Sequence, residues 1–366
     1  MNVAVAPPPA GAVRTRLRVM IVDDATVVRG LFSRWISAEP DLEVVASVRS
    51  GLEGLRELPR TEPDVVVLDV EMPDLDGISA LPRLLQLRRD LVVIMASTVT
   101  RRGADISLRA LALGAADYIP KPSPRETVEF FRRELIEKIR QLGTRNKLRR
   151  LRTLHRVVAP PATFTLRSMP AVPPRVLLIG ASTGGPQALE HVLLNAPLVL
   201  AQAPVLITQH MPPTFTTMFA EQLTRAIRAP VHEAKHGERI ESGTVYLAPG
   251  GRHMQVVADA GVPTIAIDDG PPVHFCKPAV DPLFASAAAV WGGKLLALVL
   301  TGMGHDGVDG AREIVMSGGH VLAQDEATSV VWGMPGSVAQ AGLCSAVLPL
   351  PEIAPQLNRL FSGVRA

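Results

Sequence analysis

Short, β-rich apolar runs alternate with longer amphipathic stretches twice along this chain, and a basic, proline-rich segment separates the two series. In the first series the runs are Val19–Val22, Leu42–Val48, Asp64–Leu68, Leu91–Met95 and Asp117–Ile119. Helical stretches are expected over Val27–Ser37, Leu52–Leu58, Ile78–Leu87, Ala104–Leu113 and Arg125–Leu142. The run Asp64-Val-Val-Val-Leu is apolar at successive positions, so both its faces must be buried, as in the middle of a parallel sheet. From Arg175 the alternation resumes with Val176–Ile179, Val205–Thr208, Thr244–Leu247, Leu295–Leu300, Val321–Ala323 and Ala346–Leu348. Helices are expected after Gly185, over Phe215–Ile227 and Asp281–Val290, and after Asp306, with a hairpin within Val256–Ile267. The fold class that follows is α/β, with two doubly wound parallel-sheet domains.

A length of 366 residues suits two domains of the usual ~100–200 residues each. We expect a flexible Ala/Pro-rich tail over 1–16, a first domain over 17–142, a linker over 143–174 and a second domain over 175–366. The linker begins with Arg145, Lys147, Arg149 and Arg150 and ends in Pro170, Pro173 and Pro174, a solvated and partly extended composition. Its basic start also suits a continuation of the preceding helix or a surface for an acidic partner. A hydrophobic share of 47% excludes disorder as the main state. No apolar run reaches the ~18 residues of a membrane span, and the N-terminus lacks the apolar core of a secretion signal. Two cysteines, Cys276 and Cys344, make no disulfide framework, so a reducing, cytoplasmic setting is expected. A net charge of +3 gives no argument for nucleic acid.

Chemistry concentrates where the strands end. Asp23 and Asp24 follow the first run, Asp69 closes the third, Ser97 follows the fourth and Lys121 the fifth. In a parallel sheet all carboxyl ends share one edge, so these residues converge on one cleft. Carboxylates gathered there repel unless a cation joins them, and hard oxygen ligands suit Mg²⁺. An aspartate beside such a metal can accept a phosphoryl group, with Lys121 pairing the added charge and Ser97 donating to it. Taken singly, each acid would be a turn residue or a helix cap. Val-Asp-Asp, Leu-Asp-Val-Glu-Met-Pro-Asp-Leu-Asp-Gly and Ala-Asp-Tyr-Ile-Pro-Lys-Pro resemble the signatures of response-regulator receiver domains, over roughly residues 17–135. That resemblance implies a flavodoxin-like fold, phosphorylation of Asp69, Mg²⁺ held by Asp23, Asp24 and Asp69, and Ser97 with Tyr118 as a switch beside Lys121. It also fits a cis Lys121–Pro122 bond.

In the second half, Val-Leu-Leu-Ile-Gly180-Ala-Ser182-Thr-Gly184-Gly185-Pro186 reads as a buried strand, a glycine turn and a helix start. It fits G-x-S-x-G, whose glycines expose a serine oxygen above the sheet. A dinucleotide-binding turn is the competing reading, and it requires an acidic residue at the next strand's end. His210 stands there instead. Leu295–Leu300 then runs into Thr301-Gly-Met-Gly-His-Asp306-Gly307, where an acid can orient a histidine. The expected constellation is Ser182 as nucleophile, His210 as base and Asp306 as its orienting acid, with Met303 and Thr183 supporting an oxyanion. Singly, Ser182 and Asp306 would be caps and His210 a hydrogen-bonded, half-buried ring. His253, His274, His305 and His320 show no metal-ligand spacing.

Gly-Ala-Ser-Thr-Gly-Gly-Pro, Gln-His-Met-Pro-Pro, Tyr-Leu-Ala-Pro-Gly-Gly and Thr-Gly-Met-Gly-His-Asp-Gly resemble the catalytic domain of the chemotaxis protein-glutamate methylesterases. With the receiver half, the resemblance covers about residues 17–360. It implies a Rossmann-like serine esterase that hydrolyses glutamyl methyl esters on methyl-accepting chemoreceptors, deamidates receptor glutamines, and needs no cofactor for the ester step. It further implies a sensor histidine kinase as phosphodonor and a receiver that covers the esterase cleft until it is phosphorylated. A DNA-binding regulator would carry a recognition helix and basic face in place of this second α/β unit. An NAD-dependent enzyme and a non-enzymatic adaptor are the other classes weighed; neither would need a reactive Ser182.

Overall fold

The computed structural model describes residues 16–98, 100–121, 128–155, 164–170, 172–227 and 229–362. All but Arg16 of the expected tail over 1–16, the prolines at 160 and 161, and the Lys121–Pro122 bond lie outside the described residues.

The N-terminal unit runs β1 (Leu17–Val22), α1 (Thr26–Ser37), β2 (Leu42–Val48), α2 (Gly51–Thr61), β3 (Val65–Asp69), α3 (Gly77–Leu87), β4 (Val92–Ser97), α4 (Arg101–Ala112), β5 (Asp117–Pro120) and α5 (Val128–His155). Its five strands are parallel in the order β2-β1-β3-β4-β5. Every residue of β3 and β4 is buried, as the unbroken apolar runs require. One side of the sheet packs on Phe32, Trp35 and Phe131, whose rings lie 5.5–5.9 Å apart. Helix starts follow local chemistry: Ser50, Asp76 and Thr100 each accept a backbone N–H from the first turn of α2, α3 and α4. Helix α5 continues to His155, through the first part of the stretch expected to be linker. The Arg- and Lys-rich segment is therefore helical, and Arg145 reaches across to the Glu326 carbonyl at 2.6 Å.

The C-terminal unit runs β6 (Val176–Ala181), α6 (Gly185–Leu194), α7 (Pro197–Gln202), β7 (Val205–Gln209), α8 (Pro213–Ile227), β8 (Val231–Glu233) and β9 (Val245–Leu247). A hairpin of β10 (His253–Asp259) and β11 (Val262–Asp268) follows, then α9 (Val280–Trp291), β12 (Leu295–Val299) and α10 (Val308–Met316). The chain closes with β13 (His320–Gln324), α11 (Met334–Gln340), β14 (Ala346–Leu348) and α12 (Leu350–Phe361). Its seven parallel strands have the order β14-β13-β12-β6-β7-β9-β8. Strand order reverses at β6, which has β7 on one side and β12 on the other. That is the switch point at which open parallel sheets leave a crevice. The short β8, α7, α11 and α12 have no counterpart in the sequence expectations. No helix among the described residues is long and apolar enough to cross a membrane.

The units meet where α4 and β5 lie against α6 and α8. Tyr118 stacks on Phe215, with ring centroids 4.5 Å apart and planes 5° from parallel. Arg101 pairs with Glu221 at 2.8 Å, and Gln187 donates to the Leu111 carbonyl. Within the C-terminal unit α9 and α10 cross closely at Gly310, where a Cβ would lie 2.5 Å from Phe284 Cβ and 2.9 Å from the Asp281 carbonyl oxygen. Gly310→Ala should therefore lower stability by about 1–3 kcal/mol. Urea denaturation followed by circular dichroism measures this, and an unchanged midpoint would show that the contact relaxes without cost.

Candidate active site and acidic pocket

Ser182, His210 and Asp306 follow three adjacent strands, β6, β7 and β12, at their common carboxyl edge. Backbone bonds stitch these ends together: Ser182 N–H donates to Thr301, and His210 N–H donates to Ala181. The turn after β6 needs Gly184, whose φ of +75° is left-handed. Gln209 then donates from its side-chain amide to the Ser182 carbonyl at 2.9 Å.

His210 and Asp306 are in direct contact, with Nε2 2.8 Å from Oδ2. The Asp306 carboxylate also accepts the N–H groups of Val280 (2.6 Å) and Asp281 (3.0 Å), which open α9. Asp281 answers reciprocally, accepting Gly307 N–H at 3.0 Å and Gly310 N–H at 2.6 Å at the start of α10. Each helix thus has its N-terminus capped by the other's acid, which satisfies orphan donors and places negative charge at positive helix ends. Burial raises the Asp306 pKa, yet His210 and these N–H donors outweigh it and hold the carboxyl below its ordinary value. Asp281, buried beside Asp306, is pushed up to about 6.

Ser182 is half-buried, and among the described residues its hydroxyl has no hydrogen-bond partner. The other imidazole nitrogen, Nδ1, faces Cys276 Sγ at 3.4 Å. Sequence reading did not find Cys276, because a cysteine before Lys-Pro carries no motif of its own. Burial pushes the His210 pKa down, but the sulfur and the Asp306 carboxylate push it up further, to about 10. Thr183 is buried, and its hydroxyl donates at 2.9 Å to Asp117 of the N-terminal unit. Asp117 also accepts from the buried Lys138 ammonium at 2.6 Å. Met303 packs with Val330 and Val331 on the N-terminal unit's core cluster. His305 lies against His274 with ring centroids 4.4 Å apart, and His274 Nε2 is 3.0 Å from Asp281 Oδ2.

At the carboxyl edge of the first sheet, Lys121 Nζ lies 2.7 Å from Asp23 Oδ2 and 2.8 Å from Asp69 Oδ1. Oxygens of Asp23, Asp24 and Asp69 fall within 4.8 Å of one another. Asp23 and Asp69 are buried while Asp24 is exposed, so the cluster opens to solvent on one side. Three hard carboxylates with room for water are a donor set that fits a divalent cation such as Mg²⁺. Burial pushes the Asp69 carboxyl up to about 6 despite Lys121 beside it. Ser97 is buried and shares a 2.8 Å bond with Ser107, while Tyr118 is turned onto Phe215 and away from this pocket's partners.

A family model described as CheB methylesterase matches residues 177–357, and one described as response regulator receiver domain matches residues 19–130. A protein-glutamate methylesterase/protein-glutamine glutaminase of group 2 operon from Rhodopseudomonas palustris is 56% identical, with both chains covered completely. A protein-glutamate methylesterase/protein-glutamine glutaminase from Azospirillum brasilense is 48% identical over 94% of this chain and 93% of its own. Among solved structures, the Thermotoga maritima CheB methylesterase catalytic domain is 39% identical, with a TM-score of 0.50, covering 52% of this chain and 100% of that one. Two parallel α/β units with these matched residues and relatives of this identity along the whole length make the chain a member of the protein-glutamate methylesterase/protein-glutamine glutaminase family, with a response-regulator receiver domain at its N-terminal end.

Proposed function

We propose that this chain is a phosphorylation-regulated serine esterase that hydrolyses glutamyl methyl esters, and deamidates glutamines, on methyl-accepting chemoreceptors. The observation that carries the chemistry is the His210–Asp306 pair at the sheet's switch point, one strand from Ser182. Ser182 attacks the ester carbonyl as His210 takes its proton, and Asp306 keeps the ring oriented without itself becoming protonated. His210 returns the proton to the departing methanol. Water, activated by the same ring, then cleaves the acyl-serine. Backbone N–H groups near Thr183 and Met303 face the developing oxyanion, one such donor being worth roughly 3 kcal/mol in the transition state. A glutamine amide follows the same path with ammonia leaving. Neither step calls on a cofactor.

The receiver supplies the control. Asp69 is the phosphoryl acceptor, with a sensor histidine kinase as donor, and Asp23, Asp24 and Asp69 are the residues that would hold Mg²⁺. The cation, when bound, neutralises phosphoryl and carboxylate charge during transfer. Lys121 pairs with the phosphorylated side chain, and Ser97 and Tyr118 respond to it. The added charge of about −2 alters the face formed by α4 and β5, which in this conformation lies against α6 and α8. Asp117 holds Thr183 beside the nucleophile, so the docked receiver occupies the mouth of the cleft. The division into 17–142, 143–174 and 175–366 serves as the domain boundaries of this reading, with the end of α5 belonging to the connection.

Ser182→Ala should reduce methanol release from methylated receptor by about 10⁴–10⁶-fold, as for other activated serines. Gas chromatography of released methanol measures it, and retention of most activity would remove Ser182 from the mechanism. Arg101→Glu, facing Glu221, replaces attraction by repulsion and should raise basal esterase activity several-fold while shrinking the stimulation by a small phosphodonor with Mg²⁺. An unchanged basal rate would separate docking from inhibition. Because the Asp69 pKa is raised above its unfolded value, the folded chain binds more protons between about pH 4 and pH 6, so its contribution to stability is full below that window and lost as pH rises through it. Asp69→Asn should therefore flatten the fall of stability over that window, measured by urea denaturation at a series of pH values. An equally steep fall in the variant would assign it to other groups.

A further inference from the structure

We propose that Cys276 is a positioning residue for the esterase reaction: its sulfur clamps the nitrogen of His210 that Ser182 needs, and so sets the protonation state of the base in the docked enzyme. This rests on the serine-esterase reading above. It goes beyond occlusion of the cleft by the receiver, because the clamp lies wholly within the catalytic unit.

The imidazole has two nitrogens and here both are engaged. Nε2 is given to Asp306 at 2.8 Å, so only Nδ1 remains to take a proton from a nucleophile. That atom faces Cys276 Sγ at 3.4 Å, while the Ser182 hydroxyl stands without a partner among the described residues. A thiol that gives its proton to Nδ1 becomes a thiolate beside an imidazolium, and an imidazolium cannot serve as a general base. The proton stays within the pair, so the balance is complete without any added reactant.

Local structure aims the sulfur there. Val273 and Cys276 exchange both backbone hydrogen bonds, at 3.1 and 2.8 Å, across the two-residue turn His274-Phe275. Both turn residues have positive φ, +49° and +64°, a conformation that glycine or asparagine normally supplies. Non-glycine residues persist there only where the surroundings hold them. His274 is held by Asp281 at 3.0 Å, and Phe275, itself largely exposed, lies under the Arg133 guanidinium at 4.4 Å. Arg133 belongs to α5, so the receiver touches the turn that carries the sulfur. Lys277 is fixed to Asp269 at 2.7 Å, and its carbonyl accepts Gly251 N–H.

The groups facing His210 are Cys276 from this turn and Asp306 from the loop after β12, with Asp281 of α9 and His274 behind Asp306. Removing the thiol leaves burial, which disfavours the charged ring, and Asp306, which favours it. The base must then lose its proton at lower pH than in the native enzyme.

The test is the pH profile of kcat/KM for methanol release by the full chain, its Cys276→Ala and its Cys276→Ser variants. Alanine removes the contact; serine keeps a hydrogen-bonding group but cannot form the anion. Both variants should show the alkaline-rising limb displaced to lower pH by about one unit or more, and so release methanol about tenfold faster below it. An unchanged limb in both variants overturns the proposal. So does loss of activity in Cys276→Ala and Cys276→Ser to the level of Ser182→Ala, which would make the sulfur the nucleophile. Failure of the esterase reading shows differently, as methanol release that survives Ser182→Ala.

Discussion

The carboxylate of Asp306 belongs to a helix and to an imidazole at once. It caps α9 through two backbone N–H groups and holds His210 through Nε2. Asp281 returns the cap to α10, so α9 and α10 are locked at the same edge of the sheet on which the serine turn sits. Asp306 is consequently buried, with four backbone donors shared between the two carboxylates in addition to the histidine contact. Such preorganisation is what an acyl-transfer site requires, because the acid must not reorganise as charge develops on the ring.

The same edge is where the two halves of the chain touch. Thr183, the residue after Ser182, donates to Asp117, the first residue of the receiver's last strand. Asp117 is in turn neutralised by Lys138, whose pKa is raised by Asp117 and Glu134 against the opposing effect of burial. Tyr118, its neighbour in the chain, is flattened on Phe215. Asp69 closes β3, two strands from β5 in the same sheet, so the strand that reaches Thr183 belongs to the sheet that carries the acidic pocket. The large apolar contact and the few polar ties are of the kind that can be repacked as a unit rather than loosened gradually.

Much of the architecture is legible in the sequence because it rests on patterns of burial. The runs at Val65–Leu68 and Leu295–Val299 are apolar on both faces, and a parallel sheet covered on both sides accommodates that. Residues at strand ends follow from the same logic: Ser182, His210 and Asp306 are separated by many positions, yet their strands are neighbours. What escaped is tertiary. Cys276 meets His210 only because an unfavourable turn is held from two sides. Asp117 meets Thr183 only because two domains dock. The basic segment's composition suits a solvated linker, a continued helix or a surface for an acidic partner alike, and it is helical as the continuation of α5, whose residues 131–142 pack on the sheet. The short α7, β8 and α11 span too few residues for a period to stand out from loop, and α12 carries Pro351 and Pro355 within an otherwise amphipathic stretch.

The central claim is that an alcohol, rather than the neighbouring thiol, forms the covalent intermediate. The most direct measurement is mass-spectrometric mapping of the full chain after reaction with a fluorophosphonate, with and without phosphodonor and Mg²⁺. A single adduct on the peptide containing Ser182, with a yield that rises on phosphorylation, is the predicted result. An adduct on the peptide containing Cys276, or none on either, would contradict the account.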